Sequence, residues 1–168
     1  MKYGTMAYLN VGGKVLLLKK FERNNDPNSG FWTLPGGKLE DFEKGIVNPR
    51  GRLESVIRET EDETGITLIN PVLKGAILFD NSERIFSNWS KKEDYLVHIF
   101  SAKGYKGALR QSDEGIPEFI DERLLTSIPQ NEGDKMMYKW LENGRNFVGI
   151  IKHTGNRIDE EGTFVDYF

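Results

Sequence analysis

The segment RETEDETGI at residues 58–66 carries the residue types with the clearest chemical potential in this chain. On an α-helix, which turns about 100° per residue, Glu59, Asp62 and Glu63 fall on one face because residues three and four apart are neighbours. Glu61 points the other way. Three carboxylates on one face repel each other, and a divalent cation would offset that repulsion. Carboxylate oxygens are hard ligands that suit Mg²⁺ or Mn²⁺.

An acidic helical face also has an ordinary interpretation, since charge runs on helices are most often solvated surface. The upstream segment Pro35-Gly36-Gly37-Lys38 shifts the balance toward function. It predicts a glycine turn, where the backbone can approach a ligand closely because glycine has no side chain.

The acidic residues need a helix to position them, and the sequence supplies its boundaries. Asn48-Pro49 predicts the start, with Asn as the N-cap and Pro in the first helical position. Gly65 predicts a C-terminal cap. Core-facing residues recur at i, i+3, i+4 and i+7 between these limits. They are Leu53, Val56, Ile57 and Thr60.

Other segments predict strands mixed with a second helix. Two β-runs in residues 6–19 are broken at Gly12-Gly13, which predicts a hairpin. Residues 24–30 predict a loop, and the polar link at residues 80–94 predicts a mobile flap. Further strands are predicted at 31–34, 72–79, 95–102 and within 116–128, the second helix at 132–143, and a terminal hairpin at 147–153 and 163–168. This mixture indicates an α/β or α+β sandwich.

Length and composition restrict the class of protein. A chain of 168 residues suits one domain, spanning residues 1–168. The net charge of −3 argues against binding a nucleic-acid polymer, which needs a basic surface. The absence of cysteine excludes disulfides and thiolate metal sites and fits a cytoplasmic location. The longest apolar runs have four residues, as at residues 15–18, and are too short to span a membrane.

The acidic segment fits a longer pattern, and through it the chain resembles the Nudix hydrolases. Their signature is G-x5-E-x7-R-E-U-x-E-E-x-G-U, where U is a bulky apolar residue. Gly37 matches the first glycine, Arg58-Glu59 the R-E pair, Asp62-Glu63 the acidic pair and Gly65-Ile66 the last pair. A gapped pattern of this length is specific. The resemblance implies an α/β/α sandwich (α+β) with a mixed β-sheet between helices.

The spacing departs from the family signature. Gly37 and Arg58 are 21 positions apart, whereas the signature has 14, so seven residues are inserted. Glu43 matches the middle glutamate when counted from Gly37, but the position counted back from Arg58 holds Arg50. The insertion predicts a longer loop before the helix and leaves the role of Glu43 open. Asp62 is one methylene shorter than the family glutamate.

The resemblance also implies a mechanism. In Nudix enzymes this helix holds divalent ions against a pyrophosphate, and water attacks one phosphorus. The implied ligands of Mg²⁺ (or Mn²⁺) are Glu59, Asp62, Glu63 and the backbone carbonyl of Gly36. Glu59 and Glu63 are thereby catalytic, and Arg58 would orient the carboxylates.

A distal acid completes the implied catalytic set. Ser112-Asp113-Glu114 precedes Pro117 and Phe119 and resembles the S-D-E-x-x-P-x-aromatic stretch of MutT-type purine nucleotide hydrolases. We favour Glu114, with Asp113 as the alternative. An exposed acidic turn is the ordinary interpretation of the same residues.

The same branch, that of 8-oxo-dGTP diphosphatases, suggests substrate-binding residues. Gly37 and Lys38 are candidates for the phosphates, although Lys38 also fits a surface ion pair. Thr33 occupies a position that reads the purine, often as asparagine in that branch, and a hydroxyl makes fewer hydrogen bonds than an amide. Phe79 and Asp134 are candidates for the base, with core packing and helix-end placement as their alternatives. Both histidines, at positions 98 and 153, are interpreted as structural or surface residues.

The sequence and the family resemblance together suggest three alternative functions. The first is hydrolysis of a purine nucleoside triphosphate, with an intact or an oxidised base, to nucleoside monophosphate and pyrophosphate. The second is hydrolysis of another Nudix substrate, a nucleotide sugar or ADP-ribose. The third is a catalytically silent domain that binds nucleotide as a sensor. The retained metal face favours an enzyme, and the sequence does not set the oligomeric state.

Overall fold

The structure, a computed structural model, describes residues 1–39, 49–85 and 93–168. In these ranges the chain forms twelve strands and two α-helices. The strands are β1 (Lys2–Val11), β2 (Lys14–Lys20), β3 (Trp32–Thr33), β4 (Gly36–Lys38), β5 (Ile66–Ile69), β6 (Val72–Arg84), β7 (Tyr95–Ala102), β8 (Gly104–Gly107), β9 (Gly115–Asp121), β10 (Phe147–Gly155), β11 (Arg157–Ile158) and β12 (Phe164–Tyr167). The helices are α1 (Pro49–Thr64) and α2 (Glu132–Glu142).

Ten of these strands form one mixed sheet. Its main order is β11-β10-β6-β7-β1-β2-β3, with β12 beside β10, β4 beside β1 and β9 beside β2. The pairs β1–β7 and β6–β10 are parallel, and the other pairs described are antiparallel. Strands β5 and β8 form a separate antiparallel pair that the sequence did not predict.

The sheet is covered on both faces, which makes the fold the sandwich that the family resemblance implied. Alternate residues of a strand face opposite sides. In β1, Ala7 and Leu9 belong to the core that packs with Val56 of α1, whereas Met6 and Tyr8 pack against the core that contains α2. The apolar run at residues 15–18 is buried throughout because it is covered on both sides.

Both helices begin and end close to their predicted limits. α1 ends at Thr64, and Gly65 follows it with a φ of 84°, the left-handed conformation that glycine adopts most readily. Asn48, its predicted N-cap, lies outside the described residues. α2 buries Met137, Trp140 and Leu141, and Gly144 follows it with a φ of 79°.

Two sequence predictions were wrong. The predicted glycine turn is strand β4, with Gly36 and Gly37 paired to β1. The predicted flap does not begin at Asp80, because β6 continues to Arg84 and pairs there with β10. Polar residue types concealed this extension, yet Asn81 is buried and donates to the carbonyl of Glu93 over 2.9 Å. Residues 86–92 of the predicted flap lie outside the described ranges. Among the described residues, no helix is long and apolar enough to cross a membrane.

Candidate active site

One cavity of about 860 Å³ collects most of the residues that the sequence singled out. Both helices and strands β1, β4, β6 and β10 contribute to its walls, together with residues 23–28 and 112–114. The predicted residues that line it are Thr33, Gly36, Gly37, Lys38, Glu59, Asp62, Glu63, Phe79, Asp113, Glu114 and Asp134. Arg58 is not part of the wall, and Glu43 falls outside the described residues.

Strand β4 fits between β1 and α1 only because it contains two glycines. A Cβ atom on Gly36 would lie 2.0 Å from the carbonyl oxygen of Thr5. A Cβ atom on Gly37 would lie 2.5 Å from Oε2 of Glu59. The first glycine therefore permits the close approach of two backbones, and the second leaves room for a carboxylate of α1.

The peptide groups of Gly36 face the acidic helix. Gly36 is opposite Met6 in the antiparallel pair, and the neighbouring bond runs from the Ala7 N–H to the Pro35 carbonyl. By the alternation of antiparallel bonding, the N–H and carbonyl of Gly36 point away from β1. The N–H donates to Oε2 of Glu63 over 3.0 Å. The carbonyl lies on the same edge of β4.

Helical geometry places the carboxylates as predicted. Glu59, Asp62 and Glu63, which we call the acidic face, all line the cavity. Oε1 of Glu59 accepts from Nη2 of Arg58 over 2.9 Å, so the arginine holds this carboxylate from outside the cavity. Glu61 instead accepts a hydrogen bond from the hydroxyl of a β5 threonine over 3.1 Å.

Glu63 is the buried member of the acidic face, with 8% of its surface exposed. The pKa of its carboxyl is raised to about 8, chiefly by burial and to a lesser extent by the negative charges of Glu59 and Glu114. The Gly36 N–H and the charge of Lys20 act in the opposite direction. An ionised carboxylate here is costly unless a cation lies beside it.

The donor set fits a hard divalent cation. It consists of carboxylate oxygens and a backbone carbonyl, the oxygen ligands that Mg²⁺ and Mn²⁺ prefer. As the side chains stand, no three Asp, Glu or His residues of the described ranges are grouped closely enough to hold a metal ion. Glu63 is nevertheless a buried carboxylate without a hydrogen-bonded cationic partner among the described residues. A bound cation would offset the cost of burying its charge.

The predicted distal acid is held by two basic side chains. Nζ of Lys20 lies 2.5 Å from Oε2 of Glu114, and Nη1 of Arg23 lies 3.0 Å from Oε1. The hydrogen bond from Lys20 is the main reason that the pKa of Glu114 is lowered, and the charges of Lys20 and Arg23 act in the same direction. Arg23 also donates to the backbone carbonyl of Asp113.

A second set of cavity residues, which we call the buried polar pocket, is largely removed from water. It consists of Phe79, Asn81, Arg84, Asp134 and His153. All but Arg84 are buried. Nη1 of Arg84 lies 3.4 Å from Oδ1 of Asn81, which ties two of these residues together.

The charged groups of the buried polar pocket have shifted pKa values because they are removed from water. Burial raises the pKa of Asp134 to about 7, although the charge of Arg84 opposes the shift. Burial lowers the pKa of Arg84 to about 10, with Asp134 opposing. Burial and the charge of Arg84 lower the pKa of His153 to about 4. Asp134 therefore changes its protonation near neutral pH, and His153 is neutral there.

Sequence reasoning missed several cavity residues. Lys20 and Arg23 carried no motif, although they follow directly on the buried run of β2. Arg84 was assigned to a flap. His153 was interpreted as a structural or surface residue, and the structure places it in the cavity wall with 1% of its surface exposed. Thr33, the candidate for reading the base, lines the cavity, and its hydroxyl donates to the carbonyl of Leu34 over 3.4 Å.

Comparison with known proteins decides the family. Residues 4–141 match the family model of the NUDIX domain. The chain belongs to the Nudix family. This Nudix hydrolase is 33% identical over 154 residues to the Nudix hydrolase YvcI of Bacillus subtilis (strain 168), and the match covers 89% of this chain and 85% of that protein. The family resemblance predicted from the sequence is confirmed.

Solved structures show the same fold. A MutT protein from Bacillus halodurans is 28% identical and superposes with a TM-score of 0.75, covering 99% of this chain and 98% of that one. The NUDIX domain of NrtR from Shewanella oneidensis, solved with ADP ribose, is 16% identical with a TM-score of 0.64, covering 84% and 86%. Nudix hydrolases generally use divalent metal cations, which agrees with the chemistry of the acidic face.

Proposed function

We propose that this Nudix hydrolase cleaves the pyrophosphate bond of a purine nucleoside triphosphate, releasing nucleoside monophosphate and pyrophosphate. One observation carries the proposal: a single cavity contains both the acidic face and the buried polar pocket. The first has the oxygen donors for a metal–phosphate complex, and the second has an aromatic wall with buried polar groups suited to a base.

The acidic face and the Gly36 carbonyl would hold Mg²⁺ or Mn²⁺. Glu59, Asp62 and Glu63 supply the carboxylates, and Arg58 keeps Glu59 oriented through its 2.9 Å hydrogen bond. A bound divalent cation polarises phosphoryl oxygens and lowers the pKa of the attacking water. These residues therefore act as one unit that positions the phosphates.

Glu114 is our candidate for the base that accepts a proton from the attacking water. Its lowered pKa keeps it ionised at neutral pH, as a proton acceptor must be. The water oxygen forms a bond to Pα or Pβ and the anhydride P–O bond between these two phosphorus atoms breaks, so that pyrophosphate leaves after attack at Pα and nucleoside monophosphate leaves after attack at Pβ. Lys20, Arg23 and Lys38 line the same cavity and supply positive charge for the phosphates. Asp113 is the alternative base, since it also lines the cavity.

The buried polar pocket is where the base would bind. Phe79 offers a flat apolar surface, and Oδ2 of Asp134 is buried without a hydrogen-bond partner among the described residues. A carboxylate oxygen there accepts from N–H groups such as those on the edge of guanine. Thr33 adds only a hydroxyl, so nothing at this position selects strongly for an oxidised base.

Hydrolysis of ADP-ribose is the second candidate. It is supported by the ADP ribose complex of the NrtR domain, which shares this fold. That substrate would use the same acidic face but would need room for a second ribose in place of the γ-phosphate. A sensor without turnover is the third, and the complete acidic face argues against it.

A substrate panel tests the proposal. The protein is incubated with GTP, dGTP, ATP, 8-oxo-dGTP, ADP-ribose and a nucleotide sugar, with Mg²⁺ or with EDTA. We expect Mg²⁺-dependent release of monophosphate and pyrophosphate from a purine triphosphate, abolished by EDTA. Reaction in H₂¹⁸O identifies the phosphorus that water attacks. Faster turnover of ADP-ribose would transfer the assignment to the second candidate, and no turnover of any compound would leave the sensor.

Gly37→Ala tests whether the space beside Glu59 matters. The added methyl group would lie 2.5 Å from Oε2 of Glu59, so the carboxylate must move. We expect a loss of turnover of about tenfold and a need for more Mg²⁺, because small displacements of a positioning group slow catalysis. Gly104→Ala in β8 is the control, since its Cβ would make only ordinary contacts at 3.9 Å. Equal turnover and Mg²⁺ dependence in the two variants would contradict this role.

A further inference from the structure

His153 is a buried histidine that the proposed mechanism does not yet use. It lies on β10 and lines the cavity, with 1% of its surface exposed. Among the described residues, neither Nδ1 nor Nε2 has a hydrogen-bond partner. Burying polar atoms without partners costs free energy, so a purely structural histidine at this position is unfavourable.

The neighbouring polar residue shows how the same environment satisfies a structural group. Asn81 is also buried, at 3% exposure, but its amide donates to the carbonyl of Glu93 and its Oδ1 lies within 3.4 Å of Arg84. Its hydrogen bonds are made within the protein. His153 differs because both of its ring nitrogens remain available on the wall of a cavity.

The glycine before Asp134 makes room for the imidazole. A Cβ atom on Gly133 would lie 3.2 Å from Nε2 of His153 and 3.2 Å from a ring carbon of Phe79. The imidazole, the aromatic ring and the first turn of α2 therefore meet at one point. The carboxylate with the unpartnered Oδ2 belongs to the next residue, Asp134.

We propose that His153 is a specificity-determining residue that hydrogen-bonds the edge of a guanine base held in the buried polar pocket. This inference rests on the proposed function. A neutral imidazole offers one donor and one acceptor, whereas the ionised carboxylate of Asp134 only accepts. Guanine presents N–H groups next to its O6 acceptor. Its N–H groups complement Asp134, and O6 complements a ring N–H of His153.

Substitutions of His153 distinguish a role in base recognition from a role in packing. His153→Phe keeps a ring but removes both nitrogens, and His153→Gln keeps a donor and an acceptor. We expect His153→Phe to lower kcat/KM for GTP by about ten- to a hundredfold, because a site built to hydrogen-bond a substrate loses much when the bond is lost. ATP should change much less, so the GTP/ATP ratio of kcat/KM should fall. His153→Gln should retain more of that ratio.

The other histidine of the chain provides the matched control. His98 lies on β7, is half-buried and does not line the cavity. His98→Gln should leave the GTP/ATP ratio at the wild-type value. Equal losses of kcat/KM for GTP and ATP in His153→Phe would mean that the residue only supports packing, and this result would overturn the proposal. Wild-type kcat/KM for both nucleotides would overturn it as well.

Histidine ¹⁵N NMR of the unaltered protein decides the matter even if the variants fail to fold. With two histidines in the chain, the signals are assigned by one substitution at position 98. Saturating GMP should shift the His153 ring nitrogens, and ribose 5-phosphate, which lacks a base, should not. Shifts that are equal for GMP and ribose 5-phosphate, or absent with GMP, overturn the proposal. Failure of the hydrolase proposal is distinct, since it is read from turnover in the substrate panel and not from these signals.

Discussion

Glu63→Gln is expected to lower kcat on the order of 10³-fold, because it removes the charge of the buried carboxylate at the centre of the acidic face. The fold should remain, since the amide oxygen of glutamine can still accept the 3.0 Å hydrogen bond from the Gly36 N–H. Steady-state kinetics at several Mg²⁺ concentrations measure the loss. Circular dichroism and thermal unfolding verify the fold.

The same helix supplies the control for this prediction. Glu61→Gln removes an identical side chain two positions earlier, on the opposite face, where it contacts β5 rather than the cavity. Its turnover should remain within about twofold of wild type, as expected for an exposed surface position. If the two variants retained similar turnover, the metal-binding role of the acidic face would be refuted.

Periodicity predicted the part of the site that lies on a helix. Once this segment forms a helix, the spacing of Glu59, Asp62 and Glu63 places their side chains on one face. The limits of the helix at Pro49 and Gly65 follow from local backbone preferences. The structure adds what periodicity cannot supply, the contact between this face and Gly36 of a distant strand. That contact depends on the packing of β4 between β1 and α1.

Asn81 and Arg84 of the buried polar pocket escaped prediction because polar residues conceal a strand. The end of β6 carries Asp80, Asn81 and Arg84, residue types that normally indicate a loop. They occupy a strand here because β10 pairs with this part of β6, and the buried side-chain amide of Asn81 donates to the backbone carbonyl of Glu93. His153 was not expected in the cavity wall for a related reason, since a lone histidine has no spacing to reveal its neighbours.

The two groups of cavity residues place different demands on the protein. A bound cation would stabilise the acidic face, whereas the buried polar pocket keeps polar groups away from water. Oδ2 of Asp134 and both nitrogens of His153 lack partners among the described residues. Buried polar atoms without hydrogen-bond partners lower the stability of the free protein. Substituting them should therefore reveal that cost directly.

Asp134→Asn is expected to make the free protein more stable above neutral pH. Burial raises the pKa of Asp134 from 3.8 to about 7, so the folded state binds its proton more tightly than the unfolded state does. The stability that the protonated carboxyl allows is complete below about pH 4 and is lost as pH rises through about 7. The variant should match wild type near pH 4 and exceed it by up to about 4 kcal/mol above pH 7.

Urea unfolding without nucleotide, at half-unit steps from pH 4 to pH 8.5, measures this difference. The lowered pKa of His153 acts with the opposite sign, since its folded form is destabilised by protonation, and stability from this group rises between about pH 4 and pH 6.5. The difference between variant and wild type cancels that contribution. Glu142→Gln, at the exposed end of α2, is the control and should follow the wild-type profile. A constant difference across the whole pH range would show that Asp134 does not titrate in the pocket.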